Sequence, residues 1–116
     1  MNTYFPEAWC LLKIETDGET YYKIFGGWIG GYTTGSNWRI NSEISKVVVT
    51  PVDYEFHGYS GSKYVCSHHK GRFDMYLEGV LRDILDKSSD KCNISVVEGD
   101  VIKELISVGV EVVEVL

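Results

Sequence analysis

Residues 9–25 read WCLLKIETDGETYYKIF. Asp17-Gly18 is a strong two-residue hairpin signal, because the tight hairpin turns need positive φ at their central positions. The flanks support it. Trp9–Ile14 is apolar at nearly every position, and Thr20–Phe25 is rich in aromatic and β-branched residues, the composition of a pleated surface. The stretch therefore predicts two antiparallel strands and opens a β-rich domain.

Downstream, Ile44–Val49 predicts a third strand. Thr50–Asp53 turns the chain, and Pro51, which cannot donate to a ladder, marks the end. Tyr54–His57 predicts a fourth strand, and Lys63–Cys66 continues beyond the Gly58–Ser62 interruption. The period then changes. Phe73, Leu77, Val80, Leu81, Ile84 and Leu85 lie at helical spacing over 72–87. Asp74, Glu78, Arg82, Asp83 and Asp86 occupy the other face, with Glu78–Arg82 and Asp83–Lys87 as four-apart pairs. Ile94–Val97 predicts a short strand. Asp100 can cap a short helix carrying Val101, Ile102, Leu105 and Ile106. Val110–Leu116 closes the chain as a strand with apolar residues on both faces, which requires burial in the sheet or pairing with a second protomer. The expectation is a single α+β domain over 1–116: an antiparallel sheet of five or six strands with one main and one short helix on one face. The tail adds the expectation of a homo-oligomer.

A chain of 116 residues can bury a real core without a metal or disulfide. The formal net charge of −6 argues against duplex nucleic acid as a partner. A small anion is still compatible, since one or two cations in a pocket can hold a phosphate. Three cysteines, Cys10, Cys66 and Cys92, are an odd and widely spaced set, read as free thiols of a cytoplasmic protein. No signal-peptide pattern and no run long enough to span a bilayer is seen.

Chemistry concentrates in the Gly-rich stretch 26–42, GGWIGGYTTGSNWRINS. Gly26-Gly27 and Gly30-Gly31 are expected to let the backbone bend so that Trp28 and Tyr32 face a common cleft. Alternation over Trp38–Ser42 puts Trp38 on one face and Arg39 with Asn41 on the other. A guanidinium beside an amide can grip a phosphate and a base edge; the competing reading is a rim arginine and a turn asparagine. Gly58-Tyr59-Ser60-Gly61-Ser62 can present N–H and hydroxyl donors to an oxyanion, or can simply be a hairpin corner. It lacks the spacing of a P-loop or a nucleophile elbow. Cys66, His68 and His57 have no recognisable zinc spacing, so no metal and no cofactor is assigned. A base from His57, His68 or His69 beside Ser60 or Ser62 is the enzymatic alternative, and no catalytic residue is assigned.

The blocks Trp28–Tyr32, Gly35–Ser42 and Gly58–Ser62 together resemble a family of small bacteriophage-encoded accessory proteins. The likeness covers roughly residues 20–70. In size and element order the chain is also similar to phage anti-Thoeris sponges, which sequester cyclic ADP-ribose-type signals; none of their binding residues maps onto a position here. The resemblance implies a phage accessory protein in the host cytoplasm. The convergence of Gly loops, aromatics and Arg39 with Asn41 in one half of the chain leads to the expectation that it is a non-enzymatic immune-evasion protein binding a small phosphorylated molecule of nucleotide type. The ligand-binding residues would be Trp28, Tyr32, Trp38, Arg39, Asn41, Tyr59, Ser60 and Ser62. The alternative is an inhibitor of a host defence protein, acting through the acidic helix face and exposed aromatics.

Overall fold

The computed structural model describes residues 2–30 and 35–116. The opening hairpin is present and long. β2 (Ala8–Thr16) and β3 (Glu19–Trp28) pair antiparallel from Ala8↔Gly27 to Thr16↔Glu19. β1 (Thr3–Tyr4) precedes them. Of the two turn residues Gly18 takes positive φ, at +74°, and Asp17 does not, so the connection is not the mirror-image turn with two left-handed residues that Asp-Gly suggested.

The single sheet expected from the sequence is instead two sheets. β4 (Asn37–Ile40) and β8 (Cys92–Val96) flank the hairpin in an antiparallel four-stranded sheet, ordered β4-β3-β2-β8. β5 (Ile44–Val49), β6 (Asp53–Gly58) and β7 (Lys63–Ser67) form the predicted meander. β1 adds to β7 and β9 (Glu111–Glu114) adds to β5, both in parallel, giving a five-stranded sheet ordered β1-β7-β6-β5-β9.

The physical reason lies in β2. Ala8, Trp9, Cys10, Leu11 and Leu12 are all buried, so this strand is covered on both faces. Trp9 and Leu11, with Tyr22 and Ile24 of β3, pack against Val47, Phe56, Tyr64 and Cys66 of the other sheet. Cys10, Leu12 and Phe25 point the opposite way, onto Phe73, Val80, Leu81, Ile84 and Leu85. Alternation with both phases apolar places a strand in the middle layer of three.

Those last residues belong largely to α1 (Met75–Leu85), which starts later than position 72 because Asp74 is the cap: its carboxylate accepts from the Leu77 N–H at 2.9 Å. Phe73 stays outside the helix and meets Phe25 edge-to-face, with ring centres 5.3 Å apart. α2 (Val101–Ser107) is capped by Asp100 as expected. Its Val101 and Leu105, however, are buried between the two sheets. The helices therefore lie on opposite faces of the four-stranded sheet, not on one. Neither expected four-apart helix pair forms; the ion pairs among the described residues are Lys13–Glu104 and Lys63–Glu55, with His57 also 3.7 Å from Glu55. Exposed pairs of long side chains gain too little to hold one geometry.

Gly26 and Gly27 are strand residues, not a bend. A Cβ on Gly26 would lie 3.0 Å from Pro6 Cβ, and one on Gly27 would lie 2.7 Å from Leu77 Cδ1. The pair is a flat place where the N-terminal segment and α1 approach β3 from its two sides. The tail is an edge strand. Val110 and Val112 pack inward, while Val113, Val115 and Leu116 remain exposed. No helix among the described residues is long and apolar enough to cross a membrane.

Candidate functional site

The residues of the Gly-rich stretch separate across the edge of the four-stranded sheet. In the β3–β4 ladder Trp28 faces Asn37, Gly27 faces Trp38 and Gly26 faces Arg39. Facing residues share a side, so Trp28, Asn37 and Arg39 lie on the sandwich side and Trp38 on the α1 side. There Trp38 stacks on Phe25 at 5.8 Å between ring centres.

On the sandwich side β4 borders the other sheet's short edge strand β1, and the two bound a cleft of about 330 Å³ lined by Tyr4, Trp28, Asn37, Trp38 and Arg39. The Trp28 indole donates to the Phe5 carbonyl at 3.0 Å, and its ring meets Tyr4 edge-on at 6.3 Å. The Arg39 guanidinium stands 4.6 Å above the Tyr4 ring, a cation–π contact. Tyr4 in turn packs on Tyr64 at 5.1 Å. Burial pushes the Tyr64 phenol up to about 12, and the charge of nearby Arg39 opposes that rise. Among the described residues Arg39 has no carboxylate partner. The cleft therefore joins an unneutralised guanidinium to two aromatic rings. Tyr4 is the member that sequence reasoning missed; nothing in Asn2-Thr3-Tyr4-Phe5 marks it, since its place depends on a two-residue parallel pairing.

Asn41 serves the backbone instead. It is buried, its Oδ1 accepts from the Ile24 N–H at 2.7 Å, and its own N–H donates to the Ile24 carbonyl at 3.2 Å. It carries the β3 ladder one step past Ile40, where the chain leaves one sheet for the other. Its amide is thus separate from Arg39 in role. Asn41→Ala would leave a buried Ile24 N–H unpaired and should lower stability by about 1–3 kcal/mol, read from urea unfolding. Ligand binding by the folded fraction should be unchanged.

The Gly58–Ser62 segment is the β6–β7 hairpin corner. The Gly58 N–H donates to Ser62 O, Tyr59 to Glu43 O and Gly61 to Gly58 O. The Ser60 N–H donates to Ser42 Oγ at 3.0 Å, and that hydroxyl donates to Ser60 Oγ at 2.9 Å. Ser60 Oγ also reaches Ser62 Oγ at 3.5 Å. The donors suggested for an oxyanion are largely used within the corner. Tyr59 is exposed and borders a separate hollow of about 160 Å³ with Tyr21, Glu43 and Val110. Tyr32 lies outside the described residues.

The histidines do not converge. His68 stacks on Tyr54 at 4.3 Å and donates from Nε2 to the Asp53 carbonyl at 3.0 Å. His69 is exposed. Cys66 is fully buried, and burial raises its thiol pKa, which suppresses the reactive thiolate. Burial raises Cys10 to about 12. No group of three or more His, Cys, Asp or Glu side chains among the described residues is placed to hold a metal ion.

His57 lies on the outer face of the five-stranded sheet, with its Nε2 shielded and 3.7 Å from Glu55 Oε1. Burial and then Lys46 lower its pKa, with Lys63 adding and Glu55 only partly opposing. The folded state thus favours neutral histidine. Its contribution to stability is present above the unfolded value of about 6.5 and is lost as pH falls through the lower folded value. Thermal unfolding should show a decline in stability below pH 6.5 that is shallower in His57→Gln.

Comparison with protein-family models, with curated proteins and with solved structures finds no match for this chain.

Proposed function

We propose that the protein binds and sequesters a small phosphorylated molecule bearing a planar ring, of nucleotide type, in the Tyr4–Trp28–Arg39 cleft, without converting it. The observation that carries this reading is Arg39: a guanidinium held over Tyr4, beside Trp28, with no carboxylate to neutralise it among the described residues. A guanidinium over an aromatic ring keeps N–H donors that can take a phosphate by paired hydrogen bonds. Trp28 and Tyr4 supply surfaces for the ring. About 330 Å³ falls within the range of small-molecule sites. The setting, a phage accessory protein acting in the cytoplasm of an infected bacterium, rests on the sequence resemblance alone.

Calorimetric titration with a panel of cyclic, mono- and diphosphate and ADP-ribose-type nucleotides tests the reading, with chromatography of the recovered ligand. One class should saturate at a single site and be recovered unchanged. Absence of binding by every member contradicts the proposal. Consumption of the ligand contradicts sequestration and favours an enzyme.

A second reading, an inhibitor of a host defence protein, is favoured by α1: Met75 is 90% and Tyr76 56% exposed at its start, and Asp83 and Asp86 lie exposed further along. Under that reading, charge reversal at Asp83 and Asp86 abolishes activity while Arg39→Ala spares it. The nucleotide reading requires the opposite ranking.

A further inference from the structure

Among the described residues no helix covers the outer face of the five-stranded sheet. Register fixes what stands on it. One row crosses the strands as Glu111, Lys46, His57 and Lys63, from β9 through β5 and β6 to β7. The next row is Val113, Val48, Glu55 and Val65. The inward positions Val47, Phe56, Tyr64 and Val112 alternate with these and confirm the phase. The face thus carries an acid at one edge, bases toward the other, and a valine at each end of the second row.

We propose that this face is the interface of a homodimer, in which a second copy packs sheet against sheet about a two-fold axis running along the strands between β5 and β6. That operation exchanges β5 with β6 and β9 with β7 while keeping each row opposite itself. Glu111 then stands over the partner's Lys63, and Val113 over the partner's Val65, each twice by symmetry. Lys46, over the partner's neutral His57, has a stem long enough to reach the partner's Glu55 in the adjacent row. Aligned sheets pack about 10 Å apart, a gap that such side chains fill. The flanking charges Glu111 and Lys63 are therefore complementary across this axis, while Val48 stands over the partner's Glu55, the carboxylate that Lys46 reaches.

The other route to self-association, pairing of β9 edges, is opposed by sequence. In the antiparallel register that uses all four strand residues, Glu111 would face the partner's Glu114, and like charges directly opposite destabilise a pair. With strands about 4.8 Å apart, the five-stranded face is roughly 24 Å wide, small for a protein interface. A reversible dimer with micromolar dissociation is expected.

Sedimentation equilibrium of the full chain from micromolar to millimolar concentration tests the proposal. The wild type should show a monomer–dimer equilibrium. Glu111→Lys, on the exposed edge strand, should weaken it about tenfold or more, and so should Lys63→Glu. The double variant Glu111→Lys/Lys63→Glu should return to within about threefold of wild type. Val113→Asp, on the same edge strand, should weaken the dimer even where Lys63→Glu fails to fold. A monomer at every concentration overturns the proposal. So does a dimer indifferent to these changes, or one strengthened by Glu114→Lys, which would mark edge pairing.

Discussion

Trp9→Ala is expected to destabilise the fold by about 3–5 kcal/mol, the cost of emptying a large aromatic site in a core. Trp9 is 1% exposed and sits where the two sheets meet. It contacts Phe56 at 5.4 Å and Tyr54 edge-on at 6.0 Å, and its indole donates to the Ser67 carbonyl at 2.9 Å. One side chain therefore links β2 to two strands of the opposite sheet through both packing and a hydrogen bond. Domains of this size have about 5–15 kcal/mol in total, so the variant should be largely unfolded at modest urea. Trp9→Phe keeps the packing and loses the bond, and should cost less. Urea unfolding followed by circular dichroism gives both values. A loss below about 1 kcal/mol for alanine would mean that the sheets are not packed through Trp9.

Arg39→Ala should weaken binding of the phosphorylated ligand by roughly 10- to 150-fold, the value of about 1.5–3 kcal/mol for hydrogen bonds to a charged group. Arg39→Lys keeps the charge but loses the planar fork and the stack on Tyr4, so it should recover only part of the affinity. Removing Trp28 should cost about 1–3 kcal/mol through lost stacking, with a smaller loss of stability because its indole also ties down Phe5. The Arg39 variants should unfold close to wild type, because the side chain is exposed and its contact with Tyr4 is worth only about 0.5–1 kcal/mol. Calorimetry on folded variants separates the two effects.

Much of the local structure was legible. The Asp17-Gly18 hairpin, the bounds of β5, the helical period of α1 and the Asp100 cap are short-range signals, and each appears in place. The division into two sheets was not, because it depends on which strands pair across long separations. Its sign was the Trp9-Cys10-Leu11-Leu12 run, apolar in both phases, which marks a strand covered on both faces. The two parallel edges carry no local signal; β1 has two residues. In the cleft, the opposite phases of Arg39 and Trp38 followed from alternation, whereas Trp28 was expected there through a Gly-permitted bend and instead stands on a regular strand. Asn41 shares Arg39's phase yet serves the ladder, since a polar side chain where a strand leaves its sheet can replace a backbone partner. Tyr4 was invisible because its place is set by β7.

The most direct measurement is amide and indole NMR of the labelled chain during titration with the nucleotide that binds in calorimetry. Signals of Tyr4, Asn37, Arg39 and the Trp28 indole should move together and saturate, while those of Tyr59–Ser62 stay in place. Saturable shifts confined to the Tyr59–Ser62 corner, with the Trp28 indole unmoved, would contradict the account.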